Sequence, residues 1–281
     1  MTNAPLKIGL ALGGGGARGL AHIKILQVLD EFQIKPQKIT GTSMGALVGS
    51  LYAAGMSGDD LELYAKDLFH KRTELLKRLY GNRPASWSSL INLKTPAILD
   101  AETFFEMFMP EQLPKTFEEL EIPFAAIAAD FYMQQQTVID SGPILPAIAA
   151  SSALPALLKP VKLNGKVLID GGFVNPVPYN VMQEKDLFII AIDVTGEPDR
   201  FVGKRPSSIN ALIGCSQIML RSLTNAMLEV QRPNILIQPK VGRYNVLDYF
   251  KIDDILADSE TAADELRREL DKKLTVKAEL V

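Results

Sequence analysis

The stretch Gly41-Thr42-Ser43-Met44-Gly45 fits the pattern G-x-S-x-G. A serine in that pattern does acyl transfer when a sharp strand-to-helix turn lifts its hydroxyl clear of the sheet and the flanking glycines permit the tight backbone approach. The helix that follows points its N-terminus at the serine and favours negative charge beside it. The plainer reading is a turn serine that caps the helix. A catalytic serine needs a base. An α/β-hydrolase triad would place histidine last, but His22 and His70, the two histidines of the chain, both come early. The remaining candidate base is a carboxylate. Asp170 ends the apolar run "GKVLID" and is followed by Gly171 and Gly172, which allow an abrupt turn. Its own plain reading is an Asp-Gly turn. Asp130, Asp140 and Asp193 also follow strand-like runs and compete with it, but none precedes a glycine pair.

A second chemical feature lies upstream, in "LKIGLALGGGGARGLAHI" (6–23). Gly14, Gly16 and Gly19 make G-x-G-x-x-G after a strand-like run, which suits a dinucleotide phosphate. That fingerprint also asks for an acidic residue about 20 positions on, at the end of the second strand. Asp30 and Glu31 fall in or at the end of a helical pattern, and the second strand ends instead in "TGTSMG". The dinucleotide reading fails there. A loop holding the negative oxygen of a reaction intermediate suits the same glycines.

These residues need elements to carry them. Residues 6–12 read as a strand buried on both faces. "RGLAHIKILQVLDEF" reads as a helix, "PQKIT" as a second strand and "MGALVGSLYAAG" as a helix ending near Gly55. Strand, helix, strand, helix at this spacing implies right-handed crossovers and a parallel sheet. Further strands are expected at 123–131, 135–140, 187–194 and "NILIQP", and a long helix at 207–230. In a parallel sheet the C-terminal strand ends share one edge, where ligands bind, so Ser43, Asp170 and the glycine loop can meet there. Residues 56–120 read as a cap or lid, or as an ordinary helical insertion. Within them Trp87, Leu90, Phe104, Phe105 and Phe108 are candidates for the wall of an apolar groove. The tail from about 245 reads as a surface helix beginning around Asp258 or Ser259. With no repeat and no low-complexity linker, residues 1–281 read as one domain.

The balance of 30 Lys+Arg against 33 Asp+Glu gives a net charge of -3, without the basic footprint of a nucleic-acid binder. Cys215 is the single cysteine, so no internal disulfide forms, and it reads as a buried packing residue. No Cys/His cluster has metal-ligand spacing. The N-terminus lacks the pattern of a signal peptide, and no run has the apolar length of a membrane span. The expectation is a soluble, cytoplasmic protein, with peripheral contact at a membrane left open.

Three motifs in order, "GGGARG" (14–19), "GTSMG" (41–45) and "DGG" (170–172), resemble the marks of the patatin-like phospholipase family. "ASSALPALLKPV" (150–161) and "DGGFVNPVPY" (170–179) are similar to stretches around that family's aspartate. The likeness covers roughly residues 6–195 and is nearest to single-domain bacterial members, themselves similar to the esterase domain of neuropathy target esterase. The resemblance implies a three-layer α/β/α sandwich and a Ser-Asp dyad that hydrolyses lipid acyl esters. Ser43 would form an acyl-enzyme, and Asp170 would take its proton. Backbone N–H groups of Gly14, Gly15, Gly16 and Arg18 would bind the oxyanion, while Gly19, Gly41, Gly45, Gly171 and Gly172 complete the motifs. The resemblance calls for no cofactor and no metal. An acyltransferase or thioesterase using the same dyad, and a non-catalytic lipid-binding regulator, are the alternatives. An ordinary aspartate has a pKa of about 3.9, so Asp170 must be desolvated to act as a base.

Overall fold

The computed structural model describes residues 6–71, 99–111, 113–182, 184, 186–196, 206 and 208–279. The apolar run near the start forms β1 (Ile8–Leu12), buried at every position. Its alternate residues face two cores. Ile8, Leu10 and Leu12 join the larger, and Ala11 joins a smaller one with Val177, Tyr179, Met182, Ile189 and Ala191. A strand covered on both faces belongs inside a parallel sheet. β1 lies between β2 (Lys38–Thr42) and β7 (Phe188–Ile192), parallel to both. β3 (Phe124–Asp130) continues the parallel set beyond β2, and β8 (Ile235–Ile237) beyond β7.

Helices cover the larger core. α1 (His22–Glu31) turns Ile23, Ile25, Leu26, Val28 and Leu29 inward, and α2 (Met44–Ala53) is buried along its whole length. α3 (Gly58–His70) starts at a capping box between Ser57 and Asp60 and buries Leu61, Ala65 and Phe69. α4 (Ala101–Glu106) and α5 (Ile144–Ser151) pack on each other and join the same core. The opposite face of the sheet is covered by Val177, Tyr179 and Met182, with Met227 and Leu228 of α6 (Ser208–Val230).

Three strands depart from the parallel arrangement: β4 (Gln135–Ile139), β5 (Val161–Leu163) and β6 (Lys166–Asp170). β4 runs antiparallel along one edge of β3, from Ala126 to Asp130. The other edge of β3 is shared by two strands placed end to end. β2 pairs with Phe124–Ile127, and β6 pairs antiparallel with Ala128–Asp130. β2 and β6 therefore point at each other, and their last residues stand at consecutive positions, Thr42 opposite Ile127 and Asp170 opposite Ala128. The expectation that Asp170 ends a parallel strand is corrected. An antiparallel strand delivers it, by stopping halfway along β3.

Two further expectations are corrected. The C-terminal helix α7 (Ile252–Glu279) starts before Asp258 and is not a surface helix alone. It buries Ile252, Ile255, Leu256, Ala262, Ala263, Leu266 and Leu270 and packs against α1. Asp253 and Asp254 occupy its first turn, where negative charge is favoured. Cys215 is exposed, because it lies on the outer side of α6. Trp87 and Leu90 lie outside the described residues. Among those described, no helix is long and apolar enough to cross a membrane.

Candidate active site

Ser43 is the hinge between β2 and α2, with φ 53° and ψ -122°. A non-glycine residue in that region is strained and must be held by its surroundings. Its carbonyl accepts from the N–H groups of Ala46 and Leu47, at 2.8 and 3.1 Å, which begins α2. Its own N–H donates to Ser151 Oγ at 2.9 Å, and the Ser151 hydroxyl donates on to the Ile127 carbonyl. The strained residue is thus tied to β3 at the position where β2 ends. Gly45 lets the start of α2 press against the end of β1, since a Cβ there would lie 2.1 Å from the Leu12 carbonyl oxygen.

With its backbone fixed, Ser43 donates from Oγ to Asp170 Oδ2 at 2.9 Å. Asp170 Oδ1 accepts from the Gly172 N–H at 2.8 Å, so the carboxylate is held at both oxygens. Gly171 lets the chain pass close beside β3, where a Cβ would sit 2.1 Å from the Ile127 carbonyl oxygen. Burial pushes the Asp170 carboxyl up from 3.8 to about 6, against the lowering effect of the bonds from Gly172 and Ser43. It remains largely ionised at neutral pH, as a stronger base than a solvated aspartate.

The glycine loop leaves β1 beside this pair. The Gly13 N–H donates to the Ile192 carbonyl and the Gly14 N–H to the Pro176 carbonyl, both at 2.9 Å. The N–H groups of Gly15 and Gly16 have no backbone partner among the described residues. His22, fully buried, donates from Nε2 to the Gly13 carbonyl at 2.8 Å and braces the start of the loop. Burial lowers its pKa to about 4, so the ring is neutral at pH 7.

Ser43, Asp170 and Gly14 to Gly16 line one cavity of about 940 Å³, counting its open mouth. The rest of its wall is mostly apolar, including Leu99, Phe104, Phe105, Leu157, Leu220 and Leu247. A strained serine bonded to a buried carboxylate, beside an apolar chamber and N–H groups that have no backbone partner among the described residues, is equipped for acyl transfer to and from a molecule with an apolar chain. Among the described residues, no group of His, Cys, Asp and Glu side chains could hold a metal ion.

The family model described as patatin-like phospholipase matches residues 10–182. The chain belongs to this family. An uncharacterized NTE family protein of Mycobacterium tuberculosis is 36% identical over 172 residues, which cover 61% of this chain and 44% of that protein. Lysophospholipase NTE1 of Kluyveromyces lactis is 28% identical over 273 residues, covering 88% of this chain and 18% of that protein. The chain thus spans less than half the length of either relative. Among solved structures, VipD from Legionella pneumophila aligns with a TM-score of 0.48 and 14% identity, over 93% of this chain and 67% of that one.

In this patatin-like chain all three motifs meet at one cavity, though two of the expected oxyanion groups do not fit it. The Gly14 N–H is held by Pro176, so Gly14 supplies wall and not a donor. Arg18 lies inside a short 3-10 helix (Gly16–Ala21) and does not line the cavity. Its guanidinium is half-buried and, among the described residues, forms no salt bridge. It donates to the Tyr244 and Thr195 carbonyls and to Gln217 Oε1, binding the glycine loop to the C-terminal part of the chain. Phe104 and Phe105 are on the cavity wall, but Phe108 packs at a tilt against Phe69, ring centroids 5.8 Å apart, in the core behind it. His70 is exposed and bonded to Asp253. Asp130 and Asp193 organise turns, through Tyr132 and Met133 and through Thr195 respectively, and Asp140 is exposed.

Sequence reasoning missed Ser151 and Ser152, although both lie in the family-like stretch "ASSALP". It also missed Ser216, Gln217, Leu220, Val246, Leu247 and Tyr249. Only the i, i+4 spacing of Ser216 and Leu220 on one helix hinted at a shared face.

Proposed function

We propose that this chain hydrolyses acyl esters of lipids through an acyl-enzyme on Ser43, with Asp170 as the general base. The observation that carries the reading is the 2.9 Å bond from Ser43 Oγ to Asp170 Oδ2 in a chamber walled largely by apolar side chains. The similarity to a lysophospholipase of Kluyveromyces lactis supports the same substrate class.

Ser43 Oγ attacks the ester carbonyl carbon while its proton passes to Asp170 Oδ2. The carbonyl oxygen gains negative charge and is stabilised by the N–H groups of Gly15 and Gly16. The C–O bond to the alcohol then breaks, and Asp170 returns its proton to the departing oxygen. A water gives a proton to Asp170 and attacks the acyl carbon; the bond from that carbon to Ser43 Oγ then breaks, Asp170 returns the proton to Oγ, and the fatty acid leaves. A base raised to about 6 suits this cycle near neutral pH better than an ordinary aspartate. Hydrolysis of p-nitrophenyl acyl esters and lysophospholipids tests the reading. It expects turnover that depends on acyl length, and turnover unchanged by Ser43→Ala would refute it.

A further inference from the structure

Ser151 and Ser152 are adjacent at the end of α5 but differ in one respect. The Ser151 hydroxyl is fully used, accepting from the Ser43 N–H and donating to Ile127. Ser152 is buried, at 5% exposure, and its Oγ has no hydrogen-bond partner among the described residues. Leaving a buried hydroxyl unpaired costs free energy that alanine would avoid. Yet Ser152 lines the same cavity as Ser43 and Asp170.

Its neighbours on that wall, Leu154, Leu157 and Leu158, offer no polar side-chain atom. Most other polar side-chain atoms around the cavity already have partners within the chain, the Gln217 amide nitrogen being an exception among the described residues. Ser216 donates to the Ile213 carbonyl, Gln217 accepts from Arg18, and Asp170 holds Ser43 and Gly172. Ser152 therefore puts a buried, unpaired hydroxyl in an otherwise apolar stretch of the wall, where a turn about its side-chain bond would bring it to a ligand. An acyl chain brings no polar atom to it, and the carbonyl oxygen belongs at Gly15 and Gly16. What remains is an oxygen on the alcohol side of the ester.

We propose that the Ser152 hydroxyl hydrogen-bonds an oxygen carried next to the ester on the alcohol part of the substrate, and so selects esters of polyols over esters of simple alcohols. This rests on the hydrolase reading above. The test compares wild type and Ser152→Ala on three esters of one acyl chain: a 1-acyl-glycerophosphocholine with its 2-hydroxyl free, the 2-deoxy counterpart, and the p-nitrophenyl ester. Wild type should prefer the hydroxyl-bearing lipid to the deoxy lipid by up to about tenfold in kcat/KM. Ser152→Ala should erase that preference by losing rate on the hydroxyl-bearing lipid alone, with an undiminished Tm because no bond within the protein is lost. A wild type without the preference, a preference that survives in the variant, or an equal loss on all three esters overturns the inference while leaving the hydrolase reading standing. Wild type inert toward all three esters removes the hydrolase reading, and the Ser152 inference with it.

Discussion

Asp170→Asn should make the protein more stable at neutral pH while removing its activity. The buried carboxyl is raised from 3.8 to about 6, so the native state disfavours its ionised form. The sign follows from linkage. The stability associated with protonated Asp170 is fully present below pH 3.8 and is lost as pH rises through about 6. The rise corresponds to about 3 kcal/mol of native-state stability forgone above pH 7. Asparagine keeps the shape and an acceptor for the Gly172 N–H but carries no charge. Urea unfolding of both proteins from pH 4 to pH 8 should therefore give curves that nearly coincide at pH 4 and diverge upward in favour of the variant by roughly 2–3 kcal/mol at pH 8. A variant less stable than wild type by a constant amount at every pH would refute the reasoning, because it would mean that the ionised carboxylate is not penalised in its site.

The same carboxyl sets the acid limb of catalysis. kcat/KM of wild type should be half-maximal near pH 6 and fall to about one-tenth at pH 5, and a profile flat to pH 4.5 would count against Asp170 as the base. Ser151→Ala leaves the Ser43 N–H and the Ile127 carbonyl without their shared partner. It should cost about 1–3 kcal/mol in unfolding and lower kcat by roughly 10–100-fold with little change in KM, and unchanged kcat would show that the clamp does not position the nucleophile. Phe105 and Phe108 should separate wall from core. Phe105→Ala shifts the acyl-length profile toward longer chains, whereas Phe108→Ala costs about 3–5 kcal/mol of stability and leaves the profile unchanged. Identical profiles for both variants would show that Phe105 does not bound the chain.

The parts of this site legible in the sequence were those whose signals are local. Gly41 to Gly45 sit between an apolar strand and an apolar helix, and a glycine pair marks the turn after Asp170. Both features survive in the structure because close backbone approach at Gly45 and Gly171 is a requirement any side chain would violate. The direction of β6 was not legible, since a five-residue apolar strand reads the same whether it runs parallel or antiparallel to its neighbour. The binding of the Gly14 N–H to Pro176 was hidden for a similar reason, as it joins segments far apart in the chain. Val246, Leu247 and Tyr249 reach the cavity from a stretch with no motif, and only the packing of the whole chain brings them there. The start of α7 was misread because its charged residues outweigh its buried ones, which recur at helical spacing from Ile252.

The central claim is that Ser43 and Asp170 act as one catalytic unit. The most direct measurement is the rate at which a fluorophosphonate labels Ser43 in wild type, Ser43→Ala and Asp170→Asn at pH 7.5, followed by hydrolysis of a p-nitrophenyl acyl ester by the same samples. The account predicts labelling and hydrolysis by wild type, neither by Ser43→Ala, and a fall in both of at least about 10²-fold in the folded Asp170→Asn variant. Labelling and hydrolysis at the wild-type rate in Asp170→Asn would contradict it.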